Sequence, residues 1–224
     1  AMKLVRRVTH RSKILAVEGG YHGNTFGALS VSSNAERKAP FAPLVGDIEL
    51  IPWNDMEGLE AIDASVAGII VETVQGDAGI RIPNPEWLRT IRDKCTQTGA
   101  HLVLDEIQCG FGRTGRPFAF EHFEVEPDHL CLGKALGGGM PMGALVSSKE
   151  HLQQFAHSPS LGHITTFGGH PVPCAASAAA SALLRLTDWN RVEQVGQTID
   201  AAMRGCAHVR EVRRIGLYIA VELE

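Results

Sequence analysis

The chain has 224 residues, of which 44% are hydrophobic and 21% are charged, and its formal net charge is −4. A globular chain of this length can bury a core without disulfides, and its weak negative charge excludes the basic surface typical of nucleic-acid or membrane binding. The five cysteines contain no C-x-x-C pair, so the sequence predicts free thiols in a reducing cytoplasm, and the ten scattered histidines predict no metal site.

The predicted elements begin with a helix over residues 2–9 and a strand over residues 13–18, which is followed by Gly19-Gly20. Four further apolar runs follow along the chain. Their nearly continuous hydrophobicity is typical of strands that are buried on both faces of a parallel sheet. These four predicted strands cover residues 68–72, 101–105, 129–132 and 144–147.

A helix is predicted between the second and third strands, because Trp87, Leu88, Ile91 and Cys95 recur at helical spacing. Strand, helix and strand over residues 68–105 form a crossover unit, which predicts a three-layer α/β domain with a mostly parallel sheet. In such sheets ligands bind beyond the carboxyl ends of the strands. The segments at those ends are residues 19–25, 72–79, 105–115 and 133–143.

The C-terminal segment over residues 209–222 predicts strands that need further partners to form a stable sheet. We therefore expect the chain to be an internal piece of a longer protein. Residues 1–188 are expected to form a large domain, and residues 189–224 are expected to begin a smaller C-terminal α+β domain.

Asp105 is placed where a buried strand opens into a loop that contains Gly110, Gly112 and Gly115. Asp105 or Glu106 could simply cap the next helix. The three glycines also match G-x-G-x-x-G, a dinucleotide-binding fingerprint that should open a long helix directly after its strand. The run starts five residues past the strand and has little room for that helix, so a nicotinamide cofactor is disfavoured.

Lys134 directly follows an apolar strand and precedes a run of glycines. Most lysines are solvated surface charges, but the flanking residues Leu132, Ala135 and Leu136 predict a side chain shielded from solvent. Desolvation disfavours an ammonium group and activates the amine for Schiff-base chemistry. One crossover separates Lys134 from Asp105, so both are expected at the same end of the sheet.

Residues 102–115, with the sequence LVLDEIQCGFGRTG, resemble the signature of class III pyridoxal-phosphate aminotransferases. In that family the signature is followed by Gly-Lys-Ala or Gly-Lys-Gly around the Schiff-base lysine, as at residues 133–135. The resemblance is to the acetylornithine and ornithine aminotransferases and covers nearly the whole chain. Three further segments resemble family motifs in the same order, namely residues 18–25, 71–79 and 163–171.

The resemblance implies the large domain of the fold-type I transferases and pyridoxal 5'-phosphate as the cofactor. Lys134 would be both the Schiff-base amine and the base that moves the substrate proton, and Asp105 would keep the ring nitrogen protonated. Gln108 would hydrogen-bond the phenolic oxygen. Tyr21 would lie against the ring, although a core tyrosine at a strand end is equally common.

His22 and Glu72 lie within the family motifs and are also implied to contact the cofactor. Thr166 would donate a hydrogen bond to the cofactor phosphate in the neighbouring subunit of a homodimer. The simpler alternative is that Thr166 is a turn residue beside a pair of glycines. The residues implied to contact substrate are Asn24, Asp77 and Thr165.

Two positions depart from the family pattern. Asn24 stands where acetylornithine and ornithine aminotransferases commonly have an arginine, and an asparagine cannot pair bidentately with a carboxylate. Asp77 stands where the acid that gates the carboxylate-binding arginine is usually a glutamate. The phosphate-binding loop and that arginine are expected outside the 224 residues, in the longer protein.

The implied reaction is the transfer of an amino group from an amino acid or another amine to a 2-oxo acid. A second interpretation keeps the cofactor but makes the protein an aminomutase, a racemase or a decarboxylase. A third, from another class, is a non-catalytic chain that binds cofactor only together with further segments.

Overall fold

A six-stranded sheet, covered on both faces, is the centre of the computed structural model, which describes all 224 residues. Its strand order is β2-β1-β3-β4-β5-β6. The first five strands in that order are parallel, and β6 runs antiparallel to β5. The strands are β1 (Lys13–Val17), β2 (Ile48–Ile51), β3 (Val66–Glu72), β4 (His101–Asp105), β5 (His129–Leu132) and β6 (Ala144–Ser147).

Alternate residues of the central strands pack into two separate hydrophobic clusters, because successive strand side chains point to opposite faces. On β1, Leu15 and Val17 enter a cluster of 25 buried residues, whereas Ile14 and Ala16 enter a cluster of seven. The larger cluster includes α4 (Pro85–Thr98). The smaller one is covered by residues of α1 (Met2–Thr9) and α2 (Phe26–Val31).

The helix predicted between the second and third strands is confirmed as α4. Asn84 caps its first turn by accepting a hydrogen bond from the backbone N–H of Glu86. Pro85 suits the first helical position, because the backbone N–H that proline lacks would have no acceptor within the helix there. The helix ends at Gly99, whose φ of 72° is easy for glycine and costly for other residues. The α4 connection between β3 and β4 brings the carboxyl ends of both strands to one edge of the sheet.

The predicted α/β class, the helix over residues 2–9 and all five predicted strands are confirmed. β2 was not predicted from the sequence, because its residues are only partly buried and lie at the edge of the sheet. Between β4 and β5 the structure has turns and a short 3-10 helix, Ala119–His122, so no long helix follows the three glycines. None of the helices is both long and apolar enough to cross a membrane.

The remaining helices include α3 (Ala35–Lys38), α5 (Lys149–Gln153), α6 (Pro171–Leu184) and α7 (Trp189–Arg204). After α7 the strands β7 (Val209–Ile215) and β8 (Tyr218–Leu223) form a separate antiparallel pair, which confirms the strands predicted there. This hairpin contacts the loops of the larger sheet. Arg213 Nε donates to the carbonyl of Gly79 at 2.7 Å, and the N–H of Leu217 donates to the carbonyl of Arg113 at 2.9 Å.

Candidate functional site

Two acidic side chains lie side by side at the carboxyl ends of β3 and β4, where Glu72 and Asp105 are paired in register. Glu72 is buried and accepts hydrogen bonds from the N–H of Tyr21 at 2.8 Å and the N–H of Gly76 at 3.0 Å. Burial raises the pKa of Glu72, although both hydrogen bonds oppose that shift. Glu72 therefore fixes the two loops that border this end of the sheet.

Asp105 is held from two sides. Its Oδ1 accepts from the N–H of Ile107 at 3.0 Å, and its Oδ2 lies 2.7 Å from Nδ1 of His22. The side chains of His22 and Asp105 are only 4% and 8% exposed. Because a carboxylate has about four acceptor positions, Asp105 retains the capacity to bind a further donor.

A cavity of about 390 Å³ opens beside this pair and is lined in part by Asp105, His22, Ile107 and Cys131. The Nε2 atom of His22 is buried and has no hydrogen-bond partner. A buried polar atom without a partner is costly in a folded protein and often marks a ligand site. The cavity therefore combines a carboxylate, a buried imidazole and apolar walls.

Glu106, the neighbour of Asp105, has a structural role. It accepts from Thr73 Oγ1 at 2.9 Å and from the N–H groups of Ala119 and Phe120 at 2.8 and 2.7 Å. Burial raises the pKa of Glu106 to about 7. The helix-capping role considered for either acid thus falls to Glu106, at the start of the 3-10 helix, and Asp105 is left to face the cavity.

Lys134 begins a short 3-10 helix, Lys134–Gly137, just beyond the carboxyl end of β5. Its Nζ donates to Oε1 of Gln108 at 3.4 Å, so the lysine and the glutamine predicted for the site do meet. The prediction that Lys134 is shielded is wrong for this chain, because its side chain is exposed. Leu132 and Leu136 are buried in the core, whereas Lys134 lies on a different face of the 3-10 helix from Leu136, because three residues make one turn.

Tyr21, Asn24 and Asp77 line a neighbouring cleft of about 610 Å³. Arg37, which was not predicted from the sequence, also lines this cleft. Its guanidinium lies 5.3 Å from the centre of the Tyr21 ring, and its Nη1 contacts Oδ2 of Asp77 at 3.0 Å. Arg37 belongs to a short helix outside every recognisable motif, so no spacing in the sequence indicates its position.

Thr165 and Thr166 lie apart from these residues in this chain. Both are exposed and line an open groove of about 750 Å³ together with residues 140–143 and 167–170. Hydrogen bonds therefore join three pairs of predicted residues. These pairs are Tyr21 with Glu72, His22 with Asp105, and Lys134 with Gln108. The two threonines are not brought to Asp105 by this chain.

Comparisons with known proteins identify the family of the chain. The family model for Aminotransferase class-III matches residues 1–224. The acetylornithine aminotransferase of Methanopyrus kandleri is 44% identical over the whole chain, which corresponds to 57% of that protein. A LysW-aminoadipate semialdehyde/glutamate semialdehyde transaminase of Sulfolobus acidocaldarius is 38% identical, again over the whole chain and 58% of that protein.

Solved structures show the same fold. An ornithine aminotransferase from Toxoplasma gondii superposes with a TM-score of 0.91 at 32% identity, over 99% of this chain and 55% of that one. A pyridoxal-phosphate-bound amine transaminase from an uncultivated Pseudomonas species gives 0.86 at 26% identity, over 99% and 59%. The chain thus spans somewhat more than half the length of these relatives. It belongs to the class III aminotransferase family.

Proposed function

We propose that the chain forms the cofactor-binding part of a pyridoxal-phosphate-dependent transaminase, which moves an amino group from an amino acid or amine to a 2-oxo acid. The observation that carries this proposal is Asp105, held by His22 at the end of β4 and facing a cavity. A lysine, Lys134, follows the adjacent parallel strand. Family membership supports the same reaction.

The residues of the cavity fit the cofactor chemically. When bound, pyridoxal phosphate supplies an electron sink that stabilises negative charge on the substrate. Asp105 would accept a hydrogen bond from the protonated ring nitrogen, and His22 would keep the carboxylate oriented for that bond. Ile107, which lines the same cavity, would provide an apolar wall that excludes water.

Lys134 would act through its Nζ atom in two ways. The amine would bond to the cofactor, and once released by substrate it would carry a proton to and from the substrate carbon. Gln108 would orient that amine, since the two side chains are already in contact. The exposure of Lys134 supports the proposal that the phosphate-binding elements and a second subunit complete its surroundings.

For the substrate, we propose an amine donor of the ornithine or acetylornithine kind, or another amine with a terminal amino group, as the names of the relatives suggest. Asn24, Asp77 and Thr165 would contact it. Arg37 would supply the positive charge that Asn24 lacks, because its guanidinium lies in the same cleft and can bind a carboxylate.

A homodimer is part of the proposal, with Thr166 reaching the cofactor of the neighbouring subunit. Support comes from large apolar side chains that are 68–81% exposed around Thr166 and at the end of α6. Exposed apolar surface of this kind is typical of an interaction site. These side chains are Leu161, Ile164, Phe167, Leu183 and Leu186.

Two finer proposals concern organisation and compartment. Residues 1–188 would form the large domain and residues 189–224 the beginning of a smaller one, since β7 and β8 form a sheet of their own. All five cysteines are free thiols, which supports a reducing cytoplasm as the location.

The decisive experiment measures absorbance after pyridoxal phosphate is added to the full-length protein. We expect a visible band of lysine-bound cofactor that is lost in Lys134→Ala and kept in Lys149→Ala, a matched change of an exposed lysine. A band that survives in Lys134→Ala would refute the proposed role. Turnover that needs an added 2-oxo acid identifies a transaminase, whereas turnover without one identifies a mutase, racemase or decarboxylase. A band in the full-length protein that the 224-residue chain lacks would show that the chain alone is non-catalytic.

A further inference from the structure

Three histidines meet at the end of the sheet opposite the proposed cofactor site. His101 is the first residue of β4, His129 is the first residue of β5, and His151 lies on α5. One nitrogen of each ring can be chosen so that all three atoms lie within 4.8 Å of one another. Asp105 lies at the other end of β4, the carboxyl end, so the three histidines are separate from the proposed cofactor site.

The register of the sheet explains how the cluster forms. His129 pairs with Val103 on β4, and Val103 shares a sheet face with His101 because the two are two residues apart. The two imidazoles therefore lie next to each other, with 2.8 Å between Nδ1 of His101 and Nε2 of His129. His151 completes the group because α5 begins directly after β6, the neighbour of β5, with 4.8 Å between its ring centroid and that of His101.

His129 carries an unsatisfied polar atom. The residue is fully buried, and its Nδ1 has no hydrogen-bond partner, whereas its Nε2 is the atom that contacts His101 in the cluster. The pKa of His129 is lowered to about 3, mainly by burial and to a smaller extent by the nearby His101. The ring is therefore neutral at neutral pH. A neutral imidazole is the form that binds a metal ion.

We propose that His101, His129 and His151 form a binding site for a divalent transition-metal ion of the zinc class. Imidazole nitrogens are preferred ligands of such ions, and three of them leave one coordination position for water. Ligand nitrogens at zinc distances lie roughly 3.3 Å apart. The 2.8 Å contact between His101 and His129 therefore needs to widen by only about half an ångström when the ion replaces the shared proton.

The surroundings of the cluster suit a bound cation. Ser147 Oγ lies 3.4 Å from Nδ1 of His151 and can orient that ring from outside. Asp128 is next to His129 in the chain and supplies a negative charge, although Arg92 neutralises part of it through a 2.7 Å ion pair. An ion at this position would join β4, β5 and α5, and we expect it to stabilise the folded protein.

The test uses the full-length protein without a histidine tag, titrated with Co²⁺ in metal-free buffer. We expect one equivalent to bind per chain with the visible absorption of four-coordinate cobalt, and Zn²⁺ to displace it. His151→Ala should weaken binding by at least about tenfold. His157→Ala, which removes an exposed histidine just beyond the same helix, should leave binding unchanged.

Thermal unfolding gives an independent measurement. Zn²⁺ should raise the melting temperature of the unaltered protein and of His157→Ala, and it should raise that of His151→Ala by clearly less at the same concentration. Circular dichroism establishes that His151→Ala is folded, and His101→Asn provides a second variant that should lose the ion in the same way. The proposal is overturned if no stoichiometric cobalt binds, or if the ion binds His151→Ala and His101→Asn as tightly as the unaltered protein.

Discussion

The two ends of the same strands bury opposite kinds of ionisable group. At the carboxyl end, β3 and β4 bring buried acids together, and burial raises the pKa of Glu72 and of Glu106. At the amino end, β4 and β5 bring buried imidazoles together, and burial lowers the pKa of His101 and of His129. Burial has disfavoured the charged form at both ends.

The difference lies in how each end satisfies its polar atoms. The acids at the carboxyl end accept hydrogen bonds from backbone N–H groups of the loops that follow the strands. At the amino end, His101 and His129 are hydrogen-bonded to each other, and Nδ1 of His129 has no partner. Loops can therefore hold a carboxylate in place for a ligand, whereas the amino end leaves a ring nitrogen without a partner. The donating N–H groups belong to Tyr21, Gly76, Ile107, Ala119 and Phe120.

The largest expected effect is on catalysis at the carboxyl end. Asp105→Asn keeps the size of the side chain but removes the charge that would hold the cofactor ring protonated. We expect the full-length protein to retain bound cofactor and to lose about 1,000-fold in kcat, the upper part of the range for losing one electrostatic contact in an active site. Asp93→Asn changes an exposed acid on α4 and should have no effect. Equal kcat values for Asp105→Asn and the unaltered protein would remove Asp105 from the mechanism.

The second effect is a pH dependence of stability caused by Glu106. Its folded pKa of about 7 is above the unfolded value of 4.5, so the folded protein binds more protons between these values. Stability should therefore fall as the pH rises through this window, by on the order of 2 kcal/mol between pH 5 and pH 8. A glutamine at position 106 cannot titrate, so the urea midpoint of Glu106→Gln should no longer fall with pH to this extent.

The control for this measurement is Glu57→Gln, which changes an exposed glutamate. It should keep the pH slope of the unaltered protein. Glu106→Gln should also be less stable at pH 5, because its amide NH₂ group faces a backbone N–H and cannot accept the hydrogen bond that a carboxyl oxygen accepts there. An unchanged slope in Glu106→Gln would show that Glu106 is ionised in the folded protein throughout.

The fold was predictable because its strands are continuous apolar runs. Buried strands such as β3 and β4 are recognisable in this way, whereas β2 at the edge is short, only partly buried and interrupted by Glu49, and it was not predicted. The site was predictable only where residues lie in a motif next to a strand end, as Asp105 and Lys134 do. Their expected positions at the carboxyl end are confirmed, but the shielding of Lys134 is not, because Lys134 lies on a different face of its 3-10 helix from the buried Leu136.

Contacts between distant segments could not be predicted. Arg37 reaches Asp77 across 40 positions of the chain, and His101 reaches His129 across 28. Neither pair has a characteristic spacing, since the register of the sheet and the path of the loops determine both. The sequence therefore indicated no metal site, although the structure brings three of the scattered histidines together.

A smaller effect is expected when the imidazole pair at the amino end is broken. His129→Leu introduces an apolar side chain of similar size but leaves Nδ1 of the partly buried His101 without a partner. With a chelator present, we expect the free energy of unfolding to fall by about 1–2 kcal/mol. His151→Leu breaks only a 3.4 Å contact and should cost less than about 0.5 kcal/mol. Equal losses in the two variants would mean that packing alone holds this end together.

The smallest effect compares one ion pair from each end. Arg92 and Asp128 at the amino end are 20% and 27% exposed, whereas Arg37 and Asp77 at the carboxyl end are 52% and 41% exposed. Replacement of either arginine by methionine keeps the apolar stem and removes the charge. We expect Arg92→Met to lower the free energy of unfolding by about 1 kcal/mol and Arg37→Met by less than about 0.5 kcal/mol, because solvent screens the more exposed pair. Urea unfolding at low and high salt measures both values. A larger loss in Arg37→Met would show that the cleft at the carboxyl end depends on its ion pair for stability, and would contradict its proposed availability to a substrate carboxylate.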